Sequence, residues 1–281
     1  MRHGKSGSIK NENTNGEGED VSVDMNVVIL AGGVGTRLVE ETEIKPKPMV
    51  EKGGKPILWH ILKHYSHYGY QNFIIALGYK GEHIKKYFID GIASNADHTI
   101  TSKTDYVKNK NSADEEWNLQ FIDTGIDSIK TTRIKKLQPY LSKETFMMTW
   151  CDGVSDINLD KLLAFHRSHG KLATLTAVYP PKRFGHLIIH GNQIIDIQQL
   201  PETNRYRIDG AYFVLEPGIF DYVSDDCNIE WENGPLRNLA KDRQLMAYKH
   251  DKFWQCMDTL KDKIVLENYW NSGNPPWKIW E

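Results

Sequence analysis

Short unbroken apolar runs alternate along this chain with segments whose apolar residues recur every three or four positions. Residues 26–30 (NVVIL) and 73–77 (FIIAL) read as strands buried on both faces. Between them, residues 56–68 place Ile57, Leu58, Ile61, Leu62 and Tyr65 on one helical stripe. Residues 82–88 predict a short helix. The alternation returns at 145–150 (strand), 159–169 (helix) and 173–178 (strand). Residues 186–189, 194–198 and 211–215 predict antiparallel strands, whereas 90–114 is polar and shows neither period. This order predicts an α/β fold: a Rossmann-like mixed, mainly parallel sheet flanked by helices, with an antiparallel β excursion in the second half.

Residues 1–24 are polar, Gly-rich and almost free of large apolar side chains, so they predict a disordered tail before a single domain at 25–281. The tail is either a native arm or a segment ahead of a start at Met25. The remaining length suits one large α/β domain. Cys151, Cys227 and Cys256 are an odd set without C-x-x-C spacing, which argues against a disulfide framework or structural zinc. A net charge of −2 argues against a general nucleic-acid binder. No apolar stretch is long enough to span a bilayer or to form a signal peptide, and a cytoplasmic location with no membrane partner is expected.

Candidate chemistry begins where the first strand ends. Ala31-Gly32-Gly33-Val34-Gly35-Thr36-Arg37-Leu38 is a Gly-rich turn, and glycines there permit positive φ and close approach of a phosphate to backbone N–H groups. No G-K-[ST] follows, so it is not a P-loop; no glycine closes G-x-G-x-x-G, so it is not the dinucleotide turn. Taken alone it is equally an ordinary tight turn. Arg37 adds a planar fork for phosphate oxygens. In Lys45-Pro46-Lys47-Pro48 each proline holds the preceding residue extended, which predicts two ammonium groups on one side, as a phosphate clamp or as a solvated basic loop. Asp152 follows an apolar strand and precedes Gly153, placing it where ligands bind in open α/β sheets. Asp152 and Asp258, considered separately, also read as caps or turn residues.

With these residues the chain resembles the sugar-phosphate nucleotidyltransferases, and within them the glucose-1-phosphate cytidylyltransferase branch. The likeness rests on the Gly-rich turn, Lys45-Pro46-Lys47-Pro48-Met49-Val50 and Gly53-Gly54-Lys55-Pro56-Ile57. It continues through Gly78-Tyr79-Lys80-Gly81, Asp123-Thr124-Gly125, Arg183-Phe184-Gly185, Met257-Asp258-Thr259-Leu260 and Pro276-Trp277-Lys278. The resemblance implies CTP and a sugar 1-phosphate as partners, and Mg²⁺ held by Asp152 and Asp258. It implies Arg37 on the leaving pyrophosphate and Lys47 on the α-phosphate. Leu30, Ala31, Gly32, Gly33, Gly35, Thr36, Lys45, Thr132 and Arg133 would hold the nucleotide. Gln199, Asp209 and Gly210 would hold the sugar phosphate. A homo-oligomer serving nucleotide-sugar synthesis for O antigen and lipopolysaccharide is also implied.

Several positions depart from the family pattern. Lys130-Thr131-Thr132-Arg133 stands where Thr-Gly-Gly-Arg is usual, adding two side chains near the base. Cys151 and Cys256 replace a glycine and a proline; Gly234 replaces a glutamate. Asp209-Gly210-Ala211 replaces Asn-Gly-Gly, and Gln199-Leu200 replaces Glu-Lys. Leucine cannot offset phosphate charge, so a high KM for glucose 1-phosphate is expected unless Lys182, Arg205 or Arg207 compensates. Beside ordinary cytidylyl transfer, the departures leave open another sugar phosphate or nucleotide, a weakened enzyme, or a binding relative.

Overall fold

The computed structural model describes residues 23–92, 97–100, 104–108, 117–181, 186–198, 206–224 and 228–281. In chain order the strands are β1 (Val23–Leu30), the hairpin β2 (Glu51–Lys52) and β3 (Lys55–Pro56), β4 (Tyr70–Leu77), β5 (Asp97–Ile100), β6 (Thr104–Lys108), β7 (Asn118–Asp123), β8 (Phe146–Trp150), β9 (Gly153–Ser155), β10 (Ala173–Val178), β11 (His186–His190), β12 (Gln193–Gln198), β13 (Ile208–Leu215), β14 (Leu245–Lys249) and β15 (Trp254–Cys256). The helices are α1 (Val39–Thr42), α2 (Ile57–His67), α3 (Gly81–Ile92), α4 (Lys130–Leu141), α5 (Leu159–His169), α6 (Pro235–Lys241) and α7 (Leu260–Asn271). The main sheet has nine strands in the order β14-β10-β13-β8-β1-β4-β7-β6-β5. β1 is parallel to both β4 and β8, and β4 to β7; β13 and β6 run against their neighbours. The sheet is thus mixed with most strands parallel, as the alternation of apolar runs and helical stripes predicts.

The central strands bury both faces, which is why they read as unbroken apolar runs. On β1, Val27 and Ile29 join one core cluster while Val28 and Leu30 join the other. Phe73, Ile75 and Leu77 of β4 likewise alternate with Ile74 and Ala76. Burying one such aliphatic side chain contributes about 1.5–3 kcal/mol. The stripe of α2, from Ile57 to Tyr65, is buried as its spacing requires. α5 starts where the Asn158 side chain accepts the Lys161 N–H and ends at Gly170 with φ 61°. No helix among the described residues is long and apolar enough to cross a membrane.

The structure corrects two readings and bears out the antiparallel strands of the second half. β1 reaches back to Val23, with Asp24 accepting a hydrogen bond from the Asn72 side chain, so residues 23–24 belong to the sheet rather than the tail. The rest of the expected tail lies outside the described residues. The polar stretch 90–114 contains β5 and β6 at the sheet edge. Of the antiparallel segments, β11 and β12 form a separate hairpin. β13, however, enters the main sheet between β8 and β10.

Candidate active site

A cleft of about 760 Å³ opens at the carboxyl ends of β1 and β8. The Gly-rich turn forms one side, and two of its three glycines have a structural reason to be there. Gly35 has φ 72°, which favours glycine. A Cβ on Gly32 would lie 2.2 Å from Nη1 of Arg133. Gly33 is open, with nothing within 4 Å of where a Cβ would point. Leu30, Gly32, Gly33, Gly35, Thr36 and Arg37 line the cleft. Ala31 lies apart from that lining: it is fully buried and its N–H donates to the Ala76 carbonyl at 2.9 Å.

Arg133 explains the shape of this side. Its guanidinium is buried and donates to the carbonyls of Gly32 (2.8 Å), Leu77 (3.0 Å) and Gly125 (2.8 Å), and to the Thr124 hydroxyl (2.7 Å). It ties the turns after β1, β4 and β7 together, while also lining the cleft. It sits one helical turn beyond Lys130 on α4, so those two face the cleft. Thr131 is buried with its hydroxyl donating to the Ile229 carbonyl, and Thr132 is not part of the lining. The two added threonine side chains therefore do not crowd the cleft, contrary to expectation.

The pair Asp152 and Asp258 is brought together by a small two-stranded sheet. β9 follows Asp152 and pairs with β15, which precedes Asp258. The Met257 N–H donates to the Asp152 carbonyl at 2.8 Å and locks the two segments. Neither aspartate is a helix cap: α7 is capped by Thr259 and Asp262 in a reciprocal box. Lys47 lies between the two carboxylates, with Nζ 2.6 Å from Asp152 Oδ2 and 2.8 Å from Asp258 Oδ1. Arg37 reaches Asp258 from solvent at 2.9 Å. Burial alone would depress the Lys47 pKa, but the two carboxylates outweigh it and raise it, so the ammonium is held charged.

The expected lysine pair does not share a side. Lys47 opens a 3-10 turn through Met49, which turns the chain and carries Lys47 inward. Lys45 instead pairs with Glu51 at 2.8 Å and is not part of the cleft lining. The extended geometry expected from the two prolines holds at Pro46 but is lost directly after it.

On the opposite side, β13 carries a bulge. Leu175 pairs with Phe213 but Ala177 with Asp209, so β13 contains extra residues around Gly210–Tyr212. Asp209 lines the cleft, with Oδ1 accepting the Ala211 N–H at 2.6 Å. Burial lifts its carboxyl to about 6. Gly210 does not face the cleft; its carbonyl accepts Trp254 Nε1 at 2.8 Å, and a Cβ would strike Val178. Gln199, Leu200, Lys182, Arg205, Cys227 and Arg183-Phe184-Gly185 lie outside the described residues. Arg207 is committed elsewhere: it stacks on Tyr179, donates to the Ala177 and His250 carbonyls and pairs with Asp251. Cys151 lines the cleft as a buried thiol, pushed up to about 12 by burial and Asp152, which keeps it protonated. Sequence reasoning missed Trp150, Tyr206, Glu230 and Trp254 in the lining. Of these, the Trp254 position carried a signal, since Phe253-Trp254-Gln255 is a further block of the family likeness.

Two carboxylates converging on one cation offer hard oxygen donors. That donor set fits Mg²⁺, which takes one or two carboxylates and completes its shell with phosphates and water.

This fold and cleft define a nucleotidyl-transferring enzyme class, and the chain belongs to the nucleotidyl transferase family, whose model matches residues 26–262. Within the family it is 46% identical over 258 residues to glucose-1-phosphate cytidylyltransferase of Salmonella typhimurium, covering 92% of this chain and 100% of the relative. The Salmonella typhi enzyme of the same name matches equally. The solved structure of UDP-glucose pyrophosphorylase complexed with UDP-glucose shares the fold, with TM-score 0.64, 16% identity and coverage of 89% of this chain and 99% of that one.

Proposed function

We propose that this chain joins CTP and glucose 1-phosphate to give CDP-glucose and pyrophosphate. One observation carries the reaction class: Lys47, Arg37 and two carboxylates converge in a cleft beside a Gly-rich turn. The choice of CTP and glucose 1-phosphate rests on the 46% identity to the Salmonella enzyme across its whole length. The same reading places the product in nucleotide-sugar synthesis for a cell-surface polysaccharide such as O antigen.

The sugar 1-phosphate is the nucleophile. Its second pKa is about 6, so it attacks as a dianion and requires no strong protein base. A phosphate oxygen bonds to the α-phosphorus of CTP while the bond to the β-phosphate oxygen breaks and pyrophosphate leaves. Gly33, Gly35 and Thr36 line the path of the nucleotide phosphates. The Lys47 ammonium serves the α-phosphate, and Arg37, exposed at the rim, serves the departing pyrophosphate. Asp152 and Asp258 would hold Mg²⁺, which would supply positive charge to the phosphate oxygens when bound. Asp209 accepts from sugar hydroxyls across the cleft. The test is pyrophosphate release with Mg²⁺, four nucleoside triphosphates and a panel of sugar 1-phosphates. CTP with glucose 1-phosphate should give the highest kcat/KM; a clear preference for another pair would overturn the assignment.

A further inference from the structure

Three non-glycine residues among those described have positive φ: Lys80, Ala211 and Arg243. Lys80 and Arg243 lie in turns, but Ala211 lies inside a strand and lines the cleft. Its φ is 61°, a region that glycine enters freely and alanine only at a cost. The bulge is locked around it. Asp209 Oδ1 accepts its N–H, Trp254 Nε1 donates to the preceding Gly210 carbonyl, and Tyr212 resumes pairing with Thr149. A backbone outlier so over-determined, at a ligand cleft, is a place to look for function. The one atom that separates alanine from the unstrained residue is its methyl carbon.

We infer that Ala211 is a specificity-determining residue. Resting on the sugar-phosphate reading above, its methyl group and the Asp209 carboxylate form a wall of the sugar pocket. That wall accepts a hexose 1-phosphate with a free hydroxyl there and excludes one acylated at that carbon. Asp209 is suited to the first task, since one oxygen is fixed by Ala211 and no other hydrogen bond to the carboxylate is present among the described residues. The bulge places both residues on the same wall.

The test compares glucose 1-phosphate with N-acetylglucosamine 1-phosphate for wild type, Ala211→Gly and Ala211→Ser, with thermal melts alongside. Ala211→Gly should lower the kcat/KM ratio between the two sugars about tenfold or more, the scale of one carbon in a close pocket. Its Tm should be no lower than wild type. Ala211→Ser, which keeps the Cβ, should stay within about threefold of the wild-type ratio. An unchanged ratio in Ala211→Gly, an equal loss of selectivity in Ala211→Ser, or a Tm drop of several degrees in Ala211→Gly overturns the inference. If wild type releases pyrophosphate with neither sugar, the functional reading fails and this one with it. Product from glucose 1-phosphate at an unaltered ratio sinks this inference alone.

Discussion

The glycine-turn side of the cleft is held by charge, and the β13 side by backbone shape. On the first side, Arg133 gathers carbonyls from three turns, and Lys47 bridges carboxylates that lie 105 and 211 residues away. On the second, a bulge is fixed by one carboxylate and one indole, and the nearby Arg207 is turned to other partners. The contrast teaches where change is tolerated. Charges that share buried partners fail together when one is lost. A bulge wall changes its contents without disturbing the sheet. The family departures follow this division only in part: Asp209 and Ala211 are altered on the bulge side and Arg37, Lys47, Asp152 and Asp258 are kept, but Lys130, Thr131, Thr132, Cys151 and Cys256 are altered on the charged side.

The largest effect should come from Lys47→Ala. The family resemblance implies only that Lys47 acts on the α-phosphate. Its burial between two carboxylates adds to that expectation. Activity should fall about 10²–10³-fold. Stability should also drop by about 3 kcal/mol, because the two carboxylates are left facing each other. Added Mg²⁺ should raise the Tm of this variant more than that of wild type. An equal Mg²⁺ response in the two proteins would mean that the carboxylates do not form a common cation site.

Arg133→Met should come next, with a loss of about 2–4 kcal/mol in urea unfolding, since each buried carbonyl left without a donor costs about 1–3 kcal/mol. The KM for CTP should rise with it, because the Gly32 carbonyl is no longer anchored. A stable variant with an unchanged KM would remove Arg133 from the architecture of this side.

A smaller, pH-dependent effect belongs to the β13 side. Burial raises the Asp209 carboxyl from 3.8 to about 6. The folded protein therefore holds that proton more tightly than the unfolded chain. The resulting stabilisation is present at low pH and is lost as pH rises through 6. Asp209→Asn, which cannot ionise, should gain stability over wild type at pH 7.5 relative to pH 4.5. Urea midpoints at the two pH values check this; a gain independent of pH would contradict it. The smallest effect should be that of Lys45→Ala. Its pairing with Glu51 is partly exposed and contributes under about 1 kcal/mol, and KM for CTP should change less than about twofold.

The same division governs what could be read in the sequence. The central strands and α2 were legible because burial on both faces, or on one stripe, leaves a periodic record. α4 escaped although Ile134, Leu137 and Leu141 are buried at helical spacing, because Pro139 and a run of basic residues mask the stripe. α7 shows little stripe at all: Leu260 and Ile264 are exposed, and Leu266 is its one buried apolar residue. On the charged side, local motif and family likeness named Lys47, Asp152 and Asp258. No local pattern could show that a 3-10 turn sends Lys45 outward, or that Arg133 is spent on carbonyls. The β13 bulge left no trace in the hydrophobic pattern. A two-residue slip between β10 and β13 is a tertiary fact, and only the structure relates Ala211 to it.

On the proposed function, Asp152, Asp258 and Lys47 are the working centre of a Mg²⁺-dependent transfer from CTP to glucose 1-phosphate. The most direct measurement is pyrophosphate release against Mg²⁺ concentration for wild type and Asp258→Asn, with circular dichroism confirming that the variant is folded. Wild type should require Mg²⁺ and form CDP-glucose, and Asp258→Asn should lose about a hundredfold or more in kcat, the scale of a preorganised charged group. A folded Asp258→Asn turning over at the wild-type rate, or wild type at full rate in EDTA, would rule out Asp152 and Asp258 as a catalytic Mg²⁺ site.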